Sequence, residues 1–173
     1  MTEFRQIKGY EVIFLHYICF SISWFALVKY ESTYVPGVIA YIALFILISK
    51  QPLKTMAFIL LVSITGLSVD TIFITWRVMD FIPTSEIAPF WYSLLWPLFA
   101  TAVQSTLIKL YDLHISIKML IGAGASFLAF HFGDQINSSI QINHIAPIIL
   151  LWAILFPTAL QINVLIFNRP LKS

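Results

Sequence analysis

Six apolar runs, separated by short polar breaks, leave this chain little choice of fold. They cover residues 10–28, 34–49, 55–76, 87–108, 115–133 and 145–167. A helix needs roughly 20 apolar residues to cross about 30 Å of hydrocarbon. The apolar character is continuous and lacks period-two alternation, which points to helices and not barrel strands. The breaks carry turn chemistry: Glu31-Ser32-Thr33, Lys50-Gln51-Pro52, Ile82-Pro83-Thr84-Ser85 and the polar segment 134–144. Nothing resembling a flexible linker divides the chain. The expectation is an all-α, polytopic membrane protein, one compact six-helix domain over residues 1–173.

Composition agrees. Hydrophobic residues make up 60% of the chain and charged ones 10%, against about 25% charged in soluble domains. A soluble fold is excluded. A net charge of +2 gives no footing for nucleic-acid binding. Arg5 and Lys8 precede the first run as they would in a secretory signal. No A-x-A-like site follows, so that run reads as a retained span.

The basic residues set the direction. Arg5, Lys8, Lys50, Lys54, Lys109, Lys118, Arg169 and Lys172 fall on the side that holds both termini. Only Lys29 and Arg77 fall on the other. Such a bias puts the termini in the cytoplasm, N-in and C-in. Glu31, Asp80, Glu86 and Asp134 fall mostly outside, and Tyr10, Trp24, Tyr34, Trp76, Trp91, Tyr92 and Tyr111 sit near span ends. The second and fifth spans are short. Paired short spans can mark a transporter's binding site, although thinning or snorkelling also absorbs the mismatch. Residues 94–104 and 150–161 echo one another weakly, as a hairpin repeat would.

Asp70 is the one carboxylate deep inside a span. Bulk water cannot hydrate it there, so it must be neutral, paired or beside a cavity, which makes it a functional-site candidate by default. Ser63, Gly66 and Asp70 recur on one helix face, turning Asp70 toward the bundle. It lies about 9 Å below the outer boundary at roughly 1.5 Å per residue from Trp76. It reads either as a proton- or cation-binding group or as a hydrogen-bonded packing residue. His131 is the expected partner, with Lys29 and Arg77 as alternatives. His131 and Asp134 can share a face, and a carboxylate–imidazole pair could relay protons. They match no metal-ligand spacing, so no metal is expected.

Gln104 and Gln161 should lie level nearer the cytoplasm, flanked by Thr101, Ser105 and Thr158, with Glu11 and His16 at comparable depth. Amide bonds between membrane helices are worth about 0.6–2 kcal/mol, so packing glue is the simpler reading and a substrate contact the sharper one. Gly122, Ser126, Ala129 and Gly133 form a small-residue seam for close helix approach. Trp96 beside Pro97, and Phe156 before Pro157, suggest kinks. The single cysteine, Cys19, reads as a small buried hydrophobe. Asn137-Ser138-Ser139 matches a glycosylation sequon. There is no H-E-x-x-H, P-loop, G-x-S-x-G, di-iron histidine cluster or H-x-x-x-x-D.

Gly66-x-x-x-Asp70, Pro89-Phe90-Trp91, Leu95-Trp96, Phe99-Ala100-Thr101, and Trp152 with Pro157 resemble the landmarks of domain of unknown function 2878. The resemblance covers nearly the whole chain. It implies a small bacterial inner-membrane protein without an established activity. Family genes often neighbour cyclopropane-fatty-acid-synthase-like and photolyase-like genes, which implies membrane-lipid modification or a light and oxidative stress response. The fifth span departs from the family pattern, with Gly124-Ala125-Ser126 where a Gly-Pro pair and a tyrosine are usual.

The leading expectation is an accessory protein of the bacterial inner membrane that binds a lipid or small apolar ligand. A proton-coupled transporter using Asp70 is the second, and a lipid-modifying enzyme with Asp70 and His131 as acid–base pair the third. Candidate site residues are Asp70, His131, Asp134, Gln104, Gln161 and Trp96. Expected partners are membrane lipids, a small apolar ligand and a second copy in a homodimer. No cofactor and no nucleic acid are expected.

Overall fold

A computed structural model describes the backbone of residues 2–167, with side chains from residue 11 onward. The side chains of Arg5, Lys8 and Tyr10, and all of Arg169 and Lys172, lie outside the described residues. Helix α1 (Thr2–Tyr30) has 29 residues, about 43 Å at roughly 1.5 Å per residue. Glu31, with φ 50°, turns the chain through a 3-10 turn, Glu31–Tyr34. Helix α2 (Val35–Ile48) follows, with proline in its first turn where a missing N–H is harmless. Ser49 is extended, and α3 (Pro52–Thr75) begins on a second proline.

The C-terminal end of α3 leads into an element that the apolar pattern of the sequence does not reveal. Arg77, at φ 56°, sends the chain into strand β1 (Met79–Phe81). This pairs antiparallel with β2 (Ile140–Ile142), Met79 opposite Ile142 and Phe81 opposite Ile140. Alternation along β1 buries Met79 and Phe81 in the bundle and turns Asp80 outward, where it meets Arg77 at 3.1 Å. Asn143 bonds both Asp80 and the Arg77 carbonyl. The segment 134–144, expected to be only a polar separator, therefore contributes half of a two-stranded cap.

The fourth apolar run is segmented. Helix α4 (Phe90–Ser93) and helix α5 (Leu95–Ser105) flank Leu94. Pro97 has no N–H to give the Ser93 carbonyl, which places the interruption here. A 3-10 turn, Leu107–Leu110, then leads to α6 (Ile115–Ile136), whose first turn is capped by His114 Nδ1 accepting from the Ser116 amide. Helix α7 (Ile145–Phe167) carries Pro157 inside it. Among the described residues, four stretches are long and apolar enough to cross a membrane: Glu11–Ile48, Pro52–Thr75, Ile115–Ile136 and Ile145–Phe167. The 14 residues of α2 and 11 of α5 fall short on their own.

The molecule is apolar outside as well as inside. Leu47, Leu53, Ile64, Leu120, Leu150 and Leu165 are exposed, while Leu27, Phe58, Leu98, Val103, Ile148 and Leu160 are sealed in the core. That distribution suits hydrocarbon as the solvent. Polar residues on the outward face of α3 obey the same rule. Ser68, Thr71 and Thr75 each donate to the carbonyl four residues back.

Helices α6 and α7 pair along most of their length and approach at Gly122 of the small-residue seam, whereas Gly133 at the seam's far end has nothing within 4 Å of a Cβ position. A Cβ on Gly122 would overlap the Trp152 carbonyl and meet Phe156 Cβ at 2.7 Å. Gly124 has nothing within 4 Å of that position. Overpacking at a tight contact costs about 1–3 kcal/mol. Gly122→Ala should therefore lower the melting temperature in detergent, whereas Gly124→Ala should hold or raise it, since alanine favours helix by about 1 kcal/mol. Equal melting of the two variants would contradict this packing.

Candidate functional site

Glycine and aspartate four apart on α3 make a receptor for one indole. Gly66 presents bare backbone, and the Trp96 ring lies where any side chain at 66 would be. One turn on, Asp70 Oδ2 accepts a 2.6 Å hydrogen bond from Trp96 Nε1. Asp70 is 1% exposed and Trp96 6%. Trp96 comes from the second residue of α5, just before Pro97. The Gly66-x-x-x-Asp70 pattern thus fits both the shape and the single polar atom of the tryptophan.

The stack continues across the bundle. Trp152 of α7 lies parallel to Trp96, with centroids 5.2 Å apart and planes 4° from parallel. Phe99 stands edge-on to both, at 6.4 Å and 5.0 Å. Each such pair adds about 0.5–1.5 kcal/mol beyond burial. The backbone of Trp152 in turn rests on Gly122. Gly66, Trp96, Trp152 and Gly122 therefore link α3, α5, α7 and α6 in one sandwich. Trp152 Nε1 is buried and, among the described residues, has no hydrogen-bond partner.

Asp70 is not joined to the partners expected of it. His131 is exposed, stacks on Phe127 at 5.6 Å and lies 3.1 Å from Gln135 Nε2. Lys29 is exposed and Arg77 pairs with Asp80. Asp134 is exposed and accepts from the Ile142 amide at 3.2 Å, which ties α6 to the cap. An Asp70–His131 acid–base pair is therefore replaced by an Asp70–Trp96 clamp. Among the described residues no group of three or more His, Cys, Asp or Glu could hold a metal ion.

The two glutamines are engaged separately. Gln104 Nε2 donates to Thr55 Oγ1 at 2.8 Å, and Thr55 Oγ1 lies 2.6 Å from Ser49 Oγ. This ties α5 to the α2–α3 corner. Gln161 accepts from the Tyr111 hydroxyl at 3.2 Å. Glu11 is exposed, and His16 meets Phe45 edge-on at 5.2 Å. Cys19 is half-buried and unpaired. The sequon asparagine is buried: Asn137 Nδ2 donates to the Val28 carbonyl at 2.7 Å and to Glu31 at 3.1 Å. It closes the C-terminal end of α1 and cannot serve as a glycan acceptor in this fold.

One feature had no signal in any single motif. A groove of about 320 Å³ runs between the N-terminal half of α6 and the C-terminal half of α7. Met119, Ala153, Ile154 and Pro157 form its apolar wall, and Lys118 and Gln161 stand at its polar end. Lys118 Nζ donates to the Tyr111 carbonyl at 3.0 Å and sits 5.0 Å over the Tyr111 ring. Sequence spacing places Lys118 and Gln161 on different helices, and only the α6–α7 pairing brings them to one cleft. A smaller cavity of about 40 Å³ lies near the cap, beside Trp24, Tyr92, Ala129 and Gly133.

A family model described as protein of unknown function (DUF2878) matches residues 13–158. No curated protein and no solved structure matches the chain.

The clamp makes a sharp stability prediction. Trp96→Phe leaves the buried Asp70 without its donor and should cost about 1–3 kcal/mol, the usual result of orphaning a buried polar group. Asp70→Asn keeps an acceptor oxygen and should cost less. In a double-mutant cycle on detergent melting, Trp96→Phe with Asp70→Leu should be milder than the sum of the single losses. Strict additivity would show that the two side chains do not interact.

Proposed function

We propose that this chain, which belongs to the DUF2878 family of proteins of unknown function, is a lipid-binding accessory protein of the bacterial inner membrane. In this reading it crosses the bilayer six times with both termini in the cytoplasm. The short α2 and α4–α5 passes are lengthened by the adjoining 3-10 turns Glu31–Tyr34 and Leu107–Leu110, and local thinning absorbs the remaining mismatch. Lys50, Lys54, Lys109 and Lys118 then share the cytoplasmic end, in keeping with the positive-inside rule.

The observation that carries the reading is the α6–α7 groove. Its volume is at the lower end of the 300–1,000 Å³ range typical of ligand sites, and it combines an apolar wall with a few polar groups at one end. In this topology the exposed Met119 and Ile154 of its wall face the acyl region, so a membrane lipid can enter without crossing the bundle. Asp70 supports the same choice by what it does not offer. Its Oδ2 is engaged by Trp96, and it lines neither described cavity. A transporter would need that group on a path, and an acid–base enzyme would need His131 beside it.

Lipid extraction and native mass spectrometry of the protein purified in mild detergent test this directly. A phospholipid should co-purify at about one per chain. Ala153→Trp, which fills the groove from a position already half-exposed, should strip it while the melting transition stays cooperative. Equal lipid retention in wild type and Ala153→Trp would contradict the reading.

A further inference from the structure

We propose that the α6–α7 groove selects an anionic phospholipid of the cytoplasmic leaflet, whose phosphate diester sits on Lys118 and Gln161. This rests on the lipid-binding reading above and adds the chemistry of the head group.

The polar end of the groove is built of donors. Lys118 spends one N–H on the Tyr111 carbonyl and holds its ammonium over the Tyr111 ring. Two N–H groups remain for a ligand. From the turn before α6, the Tyr111 hydroxyl donates to Oε1 of Gln161 on the facing helix α7. That leaves the amide NH₂ of Gln161 as the group to offer. Tyr111 therefore orients both side chains at once, one through its carbonyl and ring and the other through its hydroxyl. No Asp or Glu lines the groove, so a phosphate there meets a cation and an amide with no opposing carboxylate. A zwitterionic head group would bring its own cation toward Lys118 and lose that advantage.

Depth and shape agree with a lipid in place of a soluble phosphate. Lys118 is the fourth residue of α6, and Gln161 lies about 9 Å from the end of α7 at roughly 1.5 Å per residue. These positions fall at head-group level if the termini are cytoplasmic. Below them Met119, Ile154 and Pro157 continue as an apolar wall that only an acyl chain would use. In the six-span reading Lys50 and Lys54 fall at the same end, the arrangement that attracts anionic leaflets.

The test is lipid competition on the full chain in detergent, read by native mass spectrometry. Phosphatidylglycerol and phosphatidylcholine of identical acyl chains are added in equal amounts. Wild type should retain phosphatidylglycerol with about fivefold preference, the contribution of one surface lysine. Lys118→Gln should bind both lipids alike, with phosphatidylglycerol retention falling about fivefold to the level of phosphatidylcholine, and Lys118→Arg should restore the preference. Millimolar glycerol 3-phosphate should not displace the lipid. Equal binding of the two lipids by wild type, or an unchanged preference in Lys118→Gln, would overturn the head-group assignment while leaving lipid binding intact. Displacement by glycerol 3-phosphate would make this a site for a soluble phosphate and overturn it too. Retention of neither lipid would remove the groove reading and this inference together.

Discussion

An indole N–H and a carboxylate, both shut away from water, hold the centre of this molecule. Each would be expensive to bury alone. An unmatched polar group in an apolar medium costs several kcal/mol, and a hydrogen bond to a charged or strongly polar acceptor recovers about 1.5–3 kcal/mol net. The bond forms only because Gly66 lets the Trp96 ring reach the α3 backbone. With the ring seated, Trp152 can lie flat against it and bring its own backbone onto Gly122. Four helices are thereby located by two glycines, two tryptophans and one aspartate.

This arrangement changes what an intramembrane carboxylate means here. Its functional prior rests on the cost of desolvation, but that cost can be met by a fixed neutral donor as well as by a moving proton or a cation. Asp70 sits against a tryptophan that is itself stacked, edge-packed by Phe99 and anchored before Pro97. Such a donor cannot easily swing away. The chemistry of the molecule moves instead to its periphery, where the α6–α7 groove presents Lys118 and Gln161 over an apolar wall. A fixed interior and a peripheral cleft with an apolar wall are in keeping with the proposed lipid-binding role.

Much of the architecture was legible in the residues, and the failures are instructive. Long apolar runs located α3, α6 and α7 closely, because burial in lipid imposes helix on any such segment. Gly66, Asp70 and Trp96 were each legible as special, yet not as one unit, since twenty-six residues separate donor from acceptor and no local period connects them. His131 attracted attention by residue type alone, but its position on α6 turns it outward. The cap was illegible because three-residue strands carry too little alternation to register, and Asn137 looked like an exposed sequon because its partner, the Val28 carbonyl, belongs to a distant helix end. The break near Leu94 was foreshadowed by Pro97. The groove was not, because it exists only between helices.

The most direct measurement of the central claim is indole N–H exchange in protein carrying ¹⁵N-labelled tryptophan. Trp96, assigned by its loss in Trp96→Phe, should keep its proton long after transfer to deuterated buffer, and its resonance should shift in Asp70→Asn. An indole proton at position 96 that exchanges as readily as that of the exposed Trp76, with no response to substitution of Asp70, would contradict the account.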